Sequence, residues 1–171
     1  MNGILRKSLF ALTLCAISTS ALSANIIGKW TGKMTLDGSG LKKQLKEQSA
    51  KFSGERKKQV DDRLKLIDQS IQFIDKTKIR MDIKKGGIAF IEFNRNGKIE
   101  PEWCKWVVKG NKITLNGFTG GGDSTMALEG DILNGGKKLL FDMSFIIAKQ
   151  MNAQGLKSAQ KPKMTLSFTK N

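Results

Sequence analysis

From Lys78 onward the chain is written in short runs in which every second residue is apolar. Ile79, Met81 and Ile83 alternate with Lys78, Arg80, Asp82 and Lys84. Cys104, Trp106 and Val108 share one side of "EWCKWVVKG" (102–110). The pattern returns at Ile113 and Leu115, at Met126, Leu128 and Ile132, along Leu139, Phe141, Met143, Phe145 and Ile147, and at Met164, Leu166 and Phe168. A period of two puts alternate side chains on opposite faces of a β-strand, so each set marks one buried face. The links Gly86-Gly87, "NRNG" (94–97), "KGNK" (109–112) and "NGGK" (134–137) supply the positive φ angles that tight hairpins need. Hairpin-length links make neighbouring strands antiparallel. "GGIAFIEFN" (86–94) is apolar on both sides, which predicts a strand covered on both faces.

The same alternation occurs once earlier, in "IIGKWTGKMTLD" (26–37), where Ile26, Gly28, Trp30, Gly32, Met34 and Leu36 fall on one side. Between Leu41 and Ile74 there is no proline and the period changes. Val60, Leu64, Ile67, Ile71 and Ile74 advance by fours and threes, which places them on one helix face, with Leu66 and Phe73 widening the stripe. Asp61 and Lys65 form an i,i+4 pair on the charged face. Ser53-Gly54 separates this helix from a shorter one, whose buried positions are expected at Leu41, Leu45 and Phe52; Ser39 and Ser53 are the candidate N-caps. A meander of this size protects its edges by closing. The expected fold is mostly β: an antiparallel meander of about eight strands, forming a barrel or half-barrel, with a helical insertion at about 39–76 after the first strand. Residues 148–161 are expected to be the longest loop after the helices, with or without one helical turn in it.

The N-terminus reads as an export leader. Arg6 and Lys7 precede the apolar run "LFALTLCAI" (9–17), and "STSALSA" (18–24) offers small residues for cleavage near Ala24. The run is about half of the ~20 residues a spanning helix needs. Leu14 before Cys15 argues against lipidation. Residues 1–24 are therefore expected to be a signal peptide, and 25–171 one domain of a periplasmic or secreted protein. Cys104 is then the sole cysteine, which excludes an intrachain disulfide. Its first reading is a small buried hydrophobe in a monomer, and the alternative is a reactive or dimer-forming thiol.

Thirty Lys and Arg against fifteen Asp and Glu give a net charge of +15, which draws the protein toward anionic surfaces. Lysine dominates, and lysine is a hydrated point charge without the fork geometry of a base reader, so no specific nucleic acid is expected. The chain contains no histidine and no tyrosine, which removes Ser-His-Asp and Cys-His catalysis and the usual zinc sites. Glu100 and Glu102 form a carboxylate pair on paper, but flanking Pro101 they are expected on a solvated edge. "TGGGDST" (119–125) lacks the Lys-Ser/Thr of a phosphate loop, "DGSG" (37–40) has no base to activate Ser39, and no loop gathers acids for calcium. A non-enzymatic protein without a cofactor or metal is expected.

Gly28-x-Trp30 at the start of the first strand, followed by two helices and a strand meander, resembles the calycin superfamily of lipocalins and fatty-acid-binding proteins. "WVVKGNKITL" (106–115) is similar to the strand–turn–strand pattern of small exported lipocalin-like domains of bacteria. The resemblance implies that Trp30 plugs the closed end of the barrel beside a basic residue of the last strand, Lys170 or Lys163. It also implies that the helical pair caps the mouth. The chain lacks the interior tyrosine with which fatty-acid-binding proteins hold a carboxylate, and its inward faces carry almost no charge.

Two functions follow as expectations. In the first, the barrel takes up a lipid or another apolar or amphipathic small molecule, with Trp30, Phe90, Trp106, Phe141, Phe145 and Phe168 lining the site unless they fill a core instead. In the second, the barrel is filled and the basic helix face (Lys42, Lys43, Lys46, Lys57, Lys58) meets an anionic membrane or envelope surface, a polyanion or an acidic protein, as an adaptor or inhibitor would.

Overall fold

Eight antiparallel strands follow one another around a closed barrel in the computed structural model, which describes residues 25–119, 125–153 and 162–171. They are β1 (Gly28–Asp37), β2 (Lys78–Lys84), β3 (Ile88–Arg95), β4 (Lys98–Lys109), β5 (Lys112–Phe118), β6 (Met126–Leu133), β7 (Lys138–Asp142) and β8 (Lys163–Lys170). β1 pairs with β8 over the register Trp30↔Lys170 to Asp37↔Lys163, which leaves no open sheet edge. Helices α1 (Ser39–Ser49) and α2 (Gly54–Lys76) lie between β1 and β2, and α3 (Ser144–Ala153) lies between β7 and β8. The expected leader at 1–24, residues 120–124 of the glycine-rich loop and residues 154–161 lie outside the described residues.

The turns form where their residues permit. Asn96 and Gly97 take φ values of 53° and 88° between β3 and β4, the left-handed pair that a two-residue hairpin requires. The inward set of β1 is the even-numbered one: Trp30 and Met34 are buried while Lys29, Thr31, Lys33 and Thr35 face out.

The barrel interior is filled by side chains. Trp30, Phe93, Phe118, Phe141 and Phe168 are among its largest fully buried members. Phe141 and Phe168 meet edge to face, with ring centroids 6.1 Å apart. Two glycines admit these rings. A Cβ on Gly130 would lie 2.4 Å from Phe141, and one on Gly32 would lie 2.6 Å from Phe168. The space beside Trp30 on β1 is thus occupied by the last strand's own phenylalanine.

The two ends of the barrel differ. At one end Trp30 is the plug: its indole N–H donates to the Ile26 carbonyl at 2.9 Å, and Lys170 Nζ stands 5.9 Å from the ring centroid. Lys170 also donates to the Asn25 carbonyl, and the Asn25 amide donates to Gly135 O at 3.0 Å, so the segment before β1 seals this end. The basic partner implied by the calycin resemblance is Lys170; Lys163 sits at the opposite end of β8, beside Asp37. All three helices gather at that other end, the mouth.

Several local expectations change. β7 ends at Asp142, whose carboxylate accepts the Ser144 N–H at 2.9 Å and starts α3, so Phe145 and Ile147 are helical and not strand residues. The helical turn allowed for in the loop at 148–161 is the end of that helix, which runs to Ala153. Phe52 is exposed, and Ser49 takes the third buried position of α1. Gly38, not Ser39, is the α1 N-cap; the Asp37 carboxylate accepts the Ser39 N–H at 3.0 Å, and Ser53 caps α2 without a side-chain bond. Asp61 pairs backward with Lys57 at 2.9 Å and accepts from Ser49 at 2.6 Å, leaving Lys65 to Asp62 at 3.8 Å. β3 is covered on one face only, because a single-layered barrel leaves its outer wall to solvent.

Candidate functional site

The stripe of α2 lies across the mouth and packs on α1 and β1. Only Val60 of α2 is fully buried; Leu64, Ile67, Ile71 and Ile74 are half-buried behind it. Leu66 and Phe73 do not join the packed stripe. Leu66 is 61% exposed, and both residues flank an open pocket of about 460 Å³ between α2, α3 and the barrel rim. Met34, Met143 and Met164 form its floor, Ile146 and Ile147 of α3 its far wall, and Gln69, Ser70 and Arg95 its polar margin. Methionine is unbranched and polarisable, so three of them make a floor that adapts to differently shaped apolar guests.

Arg95 closes the β3 side. It is ion-paired with Glu100, and its guanidinium lies 5.2 Å from the Phe93 ring centroid and 6.0 Å from that of Phe73. Lys98 reaches the other Glu100 oxygen at 3.2 Å. The hydrogen bond from Lys98 is the main cause that holds the Glu100 carboxyl below the usual carboxylate range, and the charge of Arg95 adds to it. Opposite charges therefore already meet at this margin, and what the pocket offers a guest is apolar surface.

The residues expected to line a ligand site separate. Trp30, Phe141 and Phe168 are core, and Trp106 is half-buried near the plugged end, where its indole N–H donates to the Lys84 carbonyl at 3.1 Å. Phe90 points outward from β3 and leans on Trp103, so it lines no interior. Phe145 is exposed on α3, apart from the pocket wall that Ile146 and Ile147 supply. The sequence does not assign the mouth residues, because they come from five elements, β1, α2, β3, α3 and β8; the available signal is Leu66 and Phe73 beside the α2 stripe, together with the methionines.

The basic helix face is partly neutralised. Lys42 pairs with Asp68 at 2.5 Å and Lys57 with Asp61, while Lys42, Lys43 and Lys46 line a shallow groove that also holds Asp37 and Glu47. Glu100 and Glu102 do not share a solvated edge. Glu102 is 8% exposed and accepts the Thr119 N–H at 3.0 Å and the Thr119 hydroxyl at 2.7 Å, a bonding role that explains its burial. Cys104 faces inward, and burial, with Glu102 nearby, pushes its thiol up to about 12. It is the small buried hydrophobe of the first reading, and an inward protonated thiol is badly placed for an intermolecular disulfide. The chain matches no family model and no curated protein.

Proposed function

We propose that the protein is an exported, non-enzymatic carrier that binds an apolar or amphipathic small molecule, a lipid chain being the best-suited class, at the mouth of a filled barrel. The observation that carries this reading is the pocket of about 460 Å³ floored by Met34, Met143 and Met164. Its volume lies in the usual range for small-molecule sites, and its surface is mainly apolar. α2 is the movable wall. It buries one residue fully, and elements with so few buried contacts open at low cost. Membership of the calycin superfamily is part of the proposal, supported by the closed eight-stranded barrel, the helical pair after β1 and the Trp30–Lys170 plug.

Mass spectrometry of protein purified from its native host, before and after delipidation, tests the reading. A co-purifying apolar molecule is expected, and a clean preparation counts against it. In delipidated protein, N-phenylnaphthylamine fluorescence rises on binding, and Leu66→Trp, which fills the mouth, abolishes the rise. An undiminished rise in that variant moves the site elsewhere.

The filled interior also favours a second reading, in which an envelope-associated adaptor or inhibitor acts through its surface. Lys42 and Lys57 are each held by an aspartate, which leaves Lys43, Lys46 and Lys58, in no ion pair with the described residues, to carry that reading on the helix face.

A further inference from the structure

The outer wall of β3 and β4 carries an aromatic pair that the core does not explain. Trp103 is 66% exposed, and its ring lies 4.6 Å from that of Phe90, tilted by 48°, across the register pair Phe90↔Trp103. Along β4 the outward positions are Ile99, Pro101, Trp103, Lys105, Val107 and Lys109, and all six are exposed. Both acids of the strand, Glu100 and Glu102, belong to the alternate set. An exposed row of large apolar residues on a closed barrel marks an interaction surface.

Toward the plugged end of this row, around Trp103 and Val107, the charges outside ion pairs are basic, whereas Glu92 faces outward at the mouth end opposite Pro101 and is in no ion pair with the described residues. Lys105 and Lys109 make no ion pair with the described residues. Lys85 makes none either, and it sits in the β2–β3 turn, which touches β4 through the bond from Trp106 N–H to the Gly87 carbonyl at 2.7 Å. Asp82 is held by Lys84 at 2.5 Å.

We propose that this face docks the protein on an anionic phospholipid bilayer. Trp103 and Val107 enter the headgroup boundary while Lys85, Lys105 and Lys109 meet the phosphates. Indole rings favour the boundary between apolar and wet surroundings, and lysine stems lie along apolar surface with the ammonium in water. A compact ammonium suits a diffuse layer of phosphates better than a shaped anionic pocket. Thirteen of the chain's fifteen net positive charges lie outside the expected leader, which carries Arg6 and Lys7, and draw the molecule toward such a layer. The surface uses none of the residues of the mouth pocket, so either proposal can fail alone.

Flotation with vesicles of phosphatidylglycerol and phosphatidylcholine, and with phosphatidylcholine alone, is the test, together with tryptophan quenching by brominated acyl chains. Binding is expected only to the anionic vesicles, with quenching at Trp103 and weakening by added salt. The double variant Lys105→Glu/Lys109→Glu weakens binding by more than about tenfold. Trp103→Ser/Val107→Ser does the same and loses the quenching, whereas Lys43→Glu/Lys46→Glu leaves binding unchanged. Phe90→Ser is a second outer-wall variant, and unaltered melting shows that each chain is folded. No binding at low salt overturns the proposal, as does retention of binding by Trp103→Ser/Val107→Ser. Heparin binding without lipid quenching assigns the face to polyanions and overturns it too. A concentration-dependent dimer abolished by Trp103→Ser, without vesicle binding, assigns it to a second copy.

Discussion

The Cβ that Gly32 lacks would stand 2.6 Å from the Phe168 ring and 2.9 Å from Cβ of Ile79, so glycine on β1 and phenylalanine on β8 form one packing unit. Gly32→Ala should therefore destabilise by about 1–3 kcal/mol through overpacking. That corresponds to roughly 2–4 °C in Tm for each kcal/mol. Phe168→Leu in the same chain should recover part of the loss, and a double-mutant cycle should give a coupling above about 0.5 kcal/mol. A melting curve unchanged by Gly32→Ala would mean that the interior has room beside Phe168, contrary to a filled barrel.

Trp30 and Lys170 make the second prediction. Trp30→Phe keeps the ring but leaves the Ile26 carbonyl without its donor, a cost of about 1–3 kcal/mol for an unsatisfied buried acceptor. Lys170→Met removes the cation from the indole face, worth about 0.5–1 kcal/mol, and releases the Asn25 carbonyl. Both variants should melt lower and bind N-phenylnaphthylamine as the parent does, because the plug and the pocket lie at opposite ends. A loss of dye binding with unchanged melting would place the guest inside the barrel.

The strands and the α2 stripe were legible because each depends on a period inside one short segment: Trp30 and Met34 on β1, Val60 and Leu64 on α2. Phe90 cannot be assigned a face from its run, because a run that is apolar on both faces does not say whether a second layer covers the outer one. Met143, Phe145 and Ile147 satisfy a period of two and so read as strand, while the one-residue signal that overrides it is Asp142 positioned to accept the Ser144 N–H. Glu102 looked solvated because its partner, Thr119, is 17 residues away. The mouth pocket leaves only a partial signal in the sequence, Leu66 and Phe73 beside the α2 stripe and the methionines, since Met34, Met164, Phe73 and Ile147 converge only when β1, β8, α2 and α3 meet.

Cys104 should be inert in the folded protein. It is 2% exposed, and its thiol is pushed up to about 12, so almost no thiolate exists at neutral pH. Maleimide labelling followed by peptide mass spectrometry should leave the Cys104 peptide unmodified in buffer and label it fully in denaturant. Rapid native labelling, or a disulfide-linked dimer through this peptide, would restore the reactive-thiol reading.

Acid should loosen the mouth before it opens the plugged end. Asp37 and Asp142 stand at two strand-to-helix junctions, each accepting bonds from the serine two residues ahead, and these bonds are the main cause that lowers both carboxyls below the usual range. Lys163, across the register from Asp37, adds a smaller effect at both. A carboxyl whose folded pKa is depressed contributes stability that is complete above its unfolded value, about 4, and is lost as pH falls through the lower folded value. Urea midpoints measured from about pH 6 down to about pH 2 should therefore fall below about pH 4. Asp142→Asn keeps an oxygen for the Ser144 N–H but cannot titrate, so its midpoint should fall less steeply over that window than the parent's. The dye should leave the parent's mouth over the same range, because Ser144 also accepts the Met164 N–H at 3.1 Å and so ties the α3 entry to the pocket floor. Parallel midpoint curves for parent and variant would show that the Asp142 charge does not hold that junction.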